Sequence, residues 1–405
     1  MKILHINTYD RGGAGIACIR LHKGLLSLGL DSKLLVLENP IYKEIPRIES
    51  FQGQLGGAFD KFLFKQKQIF YRAKLKRKLK DKPRGNEDFI FPNTPFDITK
   101  NKAYQDADII NLHWVEHFLD FNSFFVNNTK PIVWTLHDMY PFSGGYPYKK
   151  GFPKSSYIRQ IAKNEILKKK ALKQTKYPPI IVTPSQWLGN ESNSSELFSG
   201  FDHKVIPYGL DTEVFKPLDS QIARKILDLP QDKKIVLFVC ESLSNQRKGF
   251  NYLKKAIKKL SNEDVILCAL GENDGLKNEL KNFFSLGLVR DERFIRIVYS
   301  AADVFVIPSI EDNLPNTVLE SLACGTPVVG FNIGGIPDMV IPNENGLICD
   351  ETSPEGLLKS IRKIISGEVV FNREVIRKKA IQNYEMKKQA LAYKNIYESL
   401  IKVKP

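Results

Sequence analysis

The sequence predicts an α/β protein made of two Rossmann-like domains whose parallel sheets face each other across a cleft. Short apolar, β-branched runs alternate with longer amphipathic stretches in both halves of the chain, which is the pattern of parallel strands joined by right-handed helical crossovers. At 405 residues the chain also exceeds the length that one hydrophobic core usually supports. Together the two observations favour two domains over one.

Strands are predicted at similar spacing in both halves. In the first half they cover residues 2–7, 32–37, 108–113, 131–137 and 179–185, and an amphipathic helix covers 14–28. In the second half they cover 233–239, 264–270, 293–298, 303–309 and 326–331. Pro207, Gly209 and Pro217 interrupt regular structure between the halves, so we place the domains at 1–205 and 206–384. A long helix is expected over 375–402.

The composition is that of an ordinary soluble protein, with 42% hydrophobic and 26% charged residues. No apolar run approaches the ~20 residues of a membrane span. The first strand runs directly into a polar glycine loop, without the apolar segment of a signal peptide, so we expect a cytoplasmic protein. The five cysteines form no C-x-x-C pair and the six histidines show no metal-ligand spacing. We therefore predict reduced, buried thiols and no structural zinc.

The net charge of +15 is concentrated in the first half of the chain, where 32 basic residues face 19 acidic ones over residues 1–205. Residues 61–84 carry eleven basic residues and one acid, interleaved with aromatic and aliphatic side chains, and residues 149–178 carry ten basic residues and one acid. Two interpretations stay open: a solvated helix face, and peripheral contact with an anionic membrane on the inner face of the plasma membrane. Nucleic-acid binding is disfavoured, because no signature of a nucleic-acid-binding motif accompanies the charge.

A glycine loop, Arg-Gly-Gly-Ala-Gly at residues 11–15, lies between the first strand and the first helix. Gly13 and Gly15 would let backbone amides approach an anion at the positive end of the helix dipole. The loop is not G-x-G-x-x-G, and a plain tight turn is an equally good interpretation of these residues alone.

His137 and Asp138 follow the strand at 131–137, which places both at the carboxyl edge of a sheet where α/β enzymes hold working groups. A structural histidine that bonds a neighbouring loop is the alternative. Residues 139–148 are aromatic and glycine-rich, so they suit either a sugar-binding rim or a packed surface loop.

The most informative stretch is residues 304–335. A buried strand ends at Pro308, a polar loop carries Glu311 and Asp312, and Pro315 opens a helix that contains Glu320. Upstream, Arg247 and Lys248 begin another helix, where two cations oppose the helix dipole unless an anion binds beside them.

This stretch resembles the retaining GT-B glycosyltransferases of family 4, glycosyl transferases group 1, of the type used in bacterial polysaccharide biosynthesis. That family has Glu, seven residues, Glu, and a helix that ends in A-C-G-T-P-V-V; Asp312 and Glu320 stand at the two acidic positions. The family also has an R-x-x-x-x-x-K-G motif. Lys248 occupies its lysine position, and Ser242 occupies the position where the family has arginine. The two departures are therefore Asp312 and Ser242, and Arg247 is a candidate to replace the missing arginine.

The resemblance implies a GT-B fold in which the C-terminal helix crosses back, so that residues of about 385–405 complete the N-terminal, acceptor-binding domain. It implies that the C-terminal domain binds the nucleotide sugar. As catalytic residues it implies His137, Asp312 and Lys248. As donor-binding residues it implies Gly13, Gly15, Arg247, Leu314, Asn316, Thr317 and Glu320.

The expected reaction is transfer of a sugar from a nucleoside-diphosphate sugar to a glycan or lipid-linked acceptor, with retention of anomeric configuration, in surface polysaccharide synthesis. We expect neither a metal nor any further cofactor, since the charge on the leaving diphosphate would be stabilised by Lys248 and helix amides. One alternative is a nucleotide-sugar epimerase or hydrolase of the same fold. A less favoured one is a non-enzymatic protein that binds anions or nucleic acid.

Overall fold

The computed structural model describes residues 1–80, 87–150, 154–260, 264–272 and 282–402. They form two compact units, the first made of Met1–Gly209 with Lys387–Pro405 and the second of Leu210–Met386. In each unit a parallel sheet carries helices, and the predicted α/β class is confirmed.

The first unit contains a seven-stranded parallel sheet in the order β3-β2-β1-β4-β5-β6-β7. Its strands are β1 (Lys2–Ile6), β2 (Asp31–Val36), β3 (Ile48–Ser50), β4 (Ile109–Leu112), β5 (Ile132–Thr135), β6 (Ile180–Thr183) and β7 (His203–Val205). The strand order reverses between β1 and β4, which is the point where open α/β sheets bind ligands at the carboxyl ends of their strands. The helices up to this point are α1 (Gly12–Ser27), α2 (Ala58–Lys78), α3 (Lys102–Asp106), α4 (Phe121–Asn127), α5 (Lys154–Leu172) and α6 (Gln186–Asn193).

The second unit contains a six-stranded parallel sheet in the order β10-β9-β8-β11-β12-β13. Its strands are β8 (Lys234–Ser242), β9 (Val265–Glu272), β10 (Phe283–Ser285), β11 (Val304–Ile307), β12 (Val328–Phe331) and β13 (Gly346–Cys349). Its helices are α7 (Ser220–Ile226), α8 (Phe250–Lys258), α9 (Glu292–Ala301), α10 (Asn316–Ala323), α11 (Pro354–Ile365) and α12 (Arg373–Tyr384). All four residues of β11 and of β12 are buried, as expected for strands covered on both faces.

The strand predicted at 293–298 is wrong, because these residues lie within helix α9. The side chain of Asp291 caps the helix by accepting a hydrogen bond from the amide of Arg293. Val298 and Tyr299 are buried while the first turn carries Glu292, so the apolar residues follow a helical face. A short β-branched run cannot be distinguished from such a face by periodicity alone.

The C-terminal region forms two helices rather than the single helix predicted over 375–402. Glu385 is extended and separates α12 from the last helix, α13 (Met386–Lys402). Tyr397 is hydrogen-bonded to the side chain of Asn111 on β4 at 2.7 Å, and Tyr393 is bonded to Thr135 on β5 at 2.9 Å. The helix therefore completes the first unit, which confirms the predicted crossing back.

All five cysteines are free and buried, which confirms the prediction of reduced thiols. Among the described residues, no helix combines the length and the apolar character that crossing a membrane requires.

Candidate active site

The second unit presents its predicted site residues on the loop after β11 and on α10. Leu314 is buried in the loop, and Asn316 and Thr317 form the first turn of the helix, half-buried. Glu320 follows one turn later, is 7% exposed, and accepts a hydrogen bond from the hydroxyl of Tyr299 at 3.2 Å. The carboxylate of Glu320 is therefore held in place by α9, the helix found where a strand is predicted over 293–298.

Asp312 lies between the two predicted cations. Its Oδ2 is 2.6 Å from Nζ of Lys248 and accepts a hydrogen bond from Ser309 at 3.0 Å, and its Oδ1 is 3.3 Å from the Arg247 guanidinium. The side chain is 6% exposed. Burial raises the pKa of Asp312, but the charges of Lys248 and Arg247 outweigh burial and hold the pKa below its ordinary value. The carboxylate is therefore ionised at neutral pH.

The turn that carries the two cations is fixed to the β11 loop by a close backbone approach. Gly249 has a φ of 71°, and a Cβ at this position would lie 1.8 Å from the carbonyl oxygen of Pro308. The amide of Ile310 donates to the carbonyl of Arg247 at 2.8 Å, and the Arg247 guanidinium donates to the carbonyl of Glu311 at 2.9 Å. Only glycine fits this left-handed, crowded position.

The cluster holds two cations around one carboxylate next to the first turn of α10. An anion that approaches Lys248 meets an excess of one positive charge together with the amides of a helix N-terminus. Both oxygens of Asp312 are already engaged within the cluster, so in this arrangement the residue positions the cations. Ser242 stands where the resemblance expects arginine, and its hydroxyl is hydrogen-bonded to that of Ser244 at 2.8 Å.

In the first unit, His137 is buried at the end of β5 and its two ring nitrogens are both engaged. Nε2 lies 3.1 Å from Nδ1 of His113, and Nδ1 lies 2.6 Å from the hydroxyl of Tyr208. Burial lowers the pKa of His137 to about 3, so the ring is neutral at physiological pH. Sequence reasoning missed both partners, although His113 directly follows β4 as His137 follows β5.

Asp138 belongs to a buried carboxyl pair. It accepts hydrogen bonds from the Trp114 indole at 3.0 Å and from the amide of Tyr140 at 2.8 Å, and it is hydrogen-bonded to Glu116. Burial, followed by the charge of Asp138, raises the pKa of Glu116 well above its ordinary value. Burial raises the pKa of Asp138 as well, so the pair disfavours carrying two negative charges. The ring of Trp114 also lies 6.0 Å from that of Tyr9, at the adjoining strand edge.

Gly13 and Gly15 lie in the first turn of α1, which begins at Gly12 and so starts earlier than predicted. A Cβ on Gly15 would lie 2.7 Å from the backbone carbon of Asp10, so the glycine allows the preceding loop to approach the helix closely. Arg11, the N-cap residue, provides no side-chain hydrogen bond to the helix amides.

The aromatic segment at 139–148 is a packed loop for most of its length, since nearly all of its side chains are buried. Lys168 from α5 is fully buried beneath it and donates to the carbonyls of Tyr140 and Ser143. Burial lowers the pKa of Lys168 to about 7. This lysine belongs to the predicted basic segment 149–178, yet it stabilises the loop from inside and contributes nothing to the surface.

Among the described residues, one group of potential metal ligands consists of His5, Cys18 and His113, whose ligand atoms lie within 4.8 Å of one another. His5 and His113 are hydrogen-bonded to each other at 2.9 Å, and His113 uses its other nitrogen for His137. A metal ion would have to replace the first of these bonds. Metal independence stays a prediction.

Comparison with solved structures identifies the class of the fold. The chain superposes on sucrose-phosphate synthase from Thermosynechococcus elongatus with a TM-score of 0.73 and 18% identity, over 100% of both chains. Anabaena HepE, solved with UDP-glucose, gives a TM-score of 0.68 and 17% identity over 98% of this chain and 100% of HepE. Two Rossmann-like units and these neighbours define a GT-B protein.

The second unit carries the match to a known family. Residues 219–384 match the model of the glycosyl transferases group 1 family. A D-inositol 3-phosphate glycosyltransferase of Corynebacterium jeikeium is 28% identical, over 44% of this chain and 48% of the relative. The lipopolysaccharide core biosynthesis glycosyltransferase LpsE of Rhizobium meliloti is 33% identical, over 38% of this chain and 45% of LpsE. The chain thus spans less than half the length of the curated relatives it matches.

Proposed function

We propose that the protein is a glycosyltransferase that moves a sugar from a nucleoside-diphosphate sugar to a glycan or lipid-linked acceptor, with retention, in surface polysaccharide synthesis. The observation that carries the proposal is the cluster in which Asp312 holds Lys248 and Arg247 beside the first turn of α10. The match of residues 219–384 to the glycosyl transferases group 1 family supports it. HepE was solved with UDP-glucose and LpsE is a glycosyltransferase of lipopolysaccharide core biosynthesis, and both support the proposed donor and acceptor classes.

In the proposed reaction the bond between the anomeric carbon and the β-phosphate oxygen breaks, and a bond from the acceptor oxygen to the same carbon forms. Negative charge grows on the diphosphate, where Lys248 and the amides of Asn316 and Thr317 stabilise it. Glu320 accepts hydrogen bonds from the ribose. The departing phosphate oxygen takes the proton of the acceptor hydroxyl, on the same face of the sugar, which yields retention without a carboxylate nucleophile or a metal.

The acceptor is assigned to the first unit, at the carboxyl edge of β1, β4 and β5. Trp114 and Tyr9 are half-buried there and form an aromatic pair, and the Arg11 guanidinium lies 4.5 Å from the Tyr9 ring centre. Aromatic faces pack against the apolar faces of sugar rings, and the Glu116–Asp138 pair supplies hydrogen-bonding groups nearby. This chemistry favours a saccharide as the part of the acceptor that the protein contacts.

We also propose peripheral contact with an anionic membrane through α2. Phe64 of this helix is buried, while Phe59 and Phe70 on the opposite side are 71% and 73% exposed, and Phe62 and Ile69 are exposed beside them. Basic residues flank this outward apolar strip, an arrangement typical of interfacial helices. Residues 81–84 of the predicted segment 61–84 and residues 151–153 of the segment 149–178 lie outside the described part of the chain.

Donor binding and turnover test the central proposal. A panel of UDP-, GDP- and ADP-sugars is screened by thermal shift, since a ligand that binds only the native state raises the unfolding midpoint. Lys248→Met and Glu320→Gln should then lower donor turnover at least ~100-fold, about 2.7 kcal/mol of lost stabilisation. The matched control is Lys259→Met, since Lys259 lies at the far end of α8, half-exposed and paired with Glu355. Full turnover in the first two variants would contradict the proposal.

An assay without any acceptor separates transfer from the alternatives. A transferase leaves the donor largely intact, an epimerase interconverts it, and a hydrolase releases free sugar.

Vesicle co-sedimentation tests the membrane contact. Binding of the protein to vesicles that contain anionic phosphatidylglycerol is compared with its binding to neutral phosphatidylcholine vesicles. Binding should require the anionic lipid and be lost in a Phe59→Ser, Phe70→Ser double variant. Equal binding to both vesicle types would refute the charge argument.

A further inference from the structure

Three histidines of the first unit form a continuous hydrogen-bonded series that ends at a tyrosine. Nδ1 of His5 lies 2.9 Å from Nε2 of His113, Nδ1 of His113 lies 3.1 Å from Nε2 of His137, and Nδ1 of His137 lies 2.6 Å from the hydroxyl of Tyr208. We call these four residues the imidazole series. It connects the predicted catalytic histidine to the interior of the sheet.

The series follows from the strand order. His5 lies in β1, His113 directly after β4 and His137 just after β5, and these three strands are consecutive neighbours in the sheet. Neighbouring strands are spaced by about 4.8 Å. The ring centres of His113 and His137 are accordingly 5.4 Å apart, and their planes are inclined by 29°. The rings of His137 and Tyr208 are stacked in the same way at 5.5 Å.

All hydrogen bonds of the imidazole series must be donated in the same direction along the series. A neutral imidazole has one N–H donor and one lone pair, so each ring must donate to one neighbour and accept from the other. Burial lowers the pKa of all three histidines, which keeps them neutral. Two arrangements are therefore available, one donating from His5 towards Tyr208 and one from Tyr208 towards His5.

The environment of His5, at one end of the imidazole series, favours one of these two arrangements. Nε2 of His5 is buried and has no hydrogen-bond partner within the described part of the chain. If the series ran from Tyr208, this atom would carry an unpaired N–H; if it ran from His5, the atom would be an unpaired acceptor. Buried N–H groups without an acceptor are the rarer defect in folded proteins. At the other end the Tyr208 oxygen can accept a hydrogen bond.

We propose that His5 and His113 are positioning residues that hold His137 as the tautomer protonated on Nδ1, with its N–H donated to Tyr208. His137 then acts as a fixed neutral dipole and is neither a proton donor nor a proton acceptor during turnover. The oxygen of Tyr208 is occupied by His137, and its own O–H is oriented away from the ring. The effect on turnover rests on the proposed glycosyl transfer, whereas the tautomer itself does not.

Long-range ¹H–¹⁵N NMR correlation on protein labelled with ¹⁵N-histidine measures the tautomer directly. Single histidine substitutions assign the signals of the full chain. We expect His137 to show a protonated Nδ1 and an unprotonated Nε2, with shifts that stay constant from pH 8 to pH 5.5. A His137 ring protonated on Nε2, or one that titrates in this range, overturns the proposal. So does stoichiometric zinc in the purified protein, because coordination by His113 would break the series.

Variants of His113 test the positioning role. His113→Leu cuts the series, and the Nδ1 preference of His137 should fall at least about fivefold, the population bias of one hydrogen bond. His113→Gln restores one donor and one acceptor and should recover the preference. His22→Gln is the matched control, since His22 is equally buried but bonds Ser32 and the carbonyl of Pro46 outside the series. An unchanged tautomer in folded His113→Leu overturns the proposal.

A second variant, His5→Leu, tests the proposal if His113→Leu fails to fold. His5→Leu removes only the terminal donor and should shift His113 and His137 towards mixed tautomers; unchanged tautomers would again overturn the proposal. Turnover is measured in parallel and should fall in His113→Leu and recover in His113→Gln. If the wild-type protein transfers no sugar, the proposed function fails, and the NMR result still decides whether the series holds His137.

Discussion

The neutral state of His137 predicts a specific loss of stability in weak acid. Its pKa is about 3 in the folded protein against 6.5 for the ordinary side chain. Between these values the unfolded chain binds a proton that the folded protein does not, so stability is complete above pH ~6.5 and is lost as the pH falls. Lowering the pH from 7.5 to 5.5 should cost about 1.4 kcal/mol through this residue alone.

The substitution His137→Gln isolates that contribution. Other buried groups also titrate, Glu116 and Lys168 among them, but they do so in both proteins and cancel in the difference. The chain has three tryptophans, Trp114, Trp134 and Trp187, and all lie in the first unit. Urea unfolding followed by tryptophan fluorescence at the two pH values therefore reports on the unit that contains His137.

The expected result is a smaller loss of stability in the variant than in the wild-type protein, by about 1.4 kcal/mol between pH 7.5 and pH 5.5. The absolute stability of His137→Gln is not the readout, because the substitution also changes the packing and the geometry of two hydrogen bonds. Equal losses in both proteins would show that His137 titrates normally, and the argument from burial would be refuted. The tryptophan-detected change must also be a single cooperative transition for the comparison to hold.

Three further predictions concern the second unit. Gly249→Ala should destabilise this unit by at least about 2 kcal/mol and abolish donor binding. Gly367→Ala should cost only about 1 kcal/mol, because Gly367 has a similar φ of 78° but open space around it. Equal costs in urea unfolding would exclude the clash with the Pro308 carbonyl. Asp312→Asn should lower turnover at least ~10-fold. Nucleoside diphosphate should bind the variant no more weakly by calorimetry, because the Asp312 carboxylate competes with it for Lys248. Loss of nucleoside-diphosphate binding would contradict this prediction. Dialysis against EDTA should leave turnover unchanged. Loss of turnover on dialysis, with recovery only after Mg²⁺ is added, would disprove metal independence.

The loop and helix of residues 304–335 could be predicted because their structure is specified locally. A strand, a polar loop, Pro315 at a helix start and Gly325 at its end follow one another without a break, and the structure places α10 as expected. The three-residue strands β3, β7 and β10 gave no usable pattern, since three residues are too few to show periodicity.

The contacts of the site required the fold. Lys248 and Asp312 are separated by 64 residues and meet only because β8 and β11 are neighbours in the sheet. His5 and His113 are separated by 108 residues, and their bond depends on the register of β1 against β4. Such pairs carry no signal in a single sequence, so the position of His137 was predictable while its partners were not.

Asp312 and Ser242 are the two departures from the motif of the family that the sequence resembles. Ser242 leaves the second unit without a cation at the expected position, and Arg247 offers one from the turn that also carries Lys248. A cation in that turn needs an anchor, since it opposes the dipole of the following helix, and Asp312 supplies the anchor by contacting Lys248 and Arg247 with different oxygens. Glutamate at 312 would extend its carboxylate by one methylene beyond this pair. The shorter acid therefore fits its contacts with both cations. If Arg247 takes the role of the arginine missing at position 242, as we propose, Asp312→Glu alone should loosen the cluster unless it is combined with Ser242→Arg.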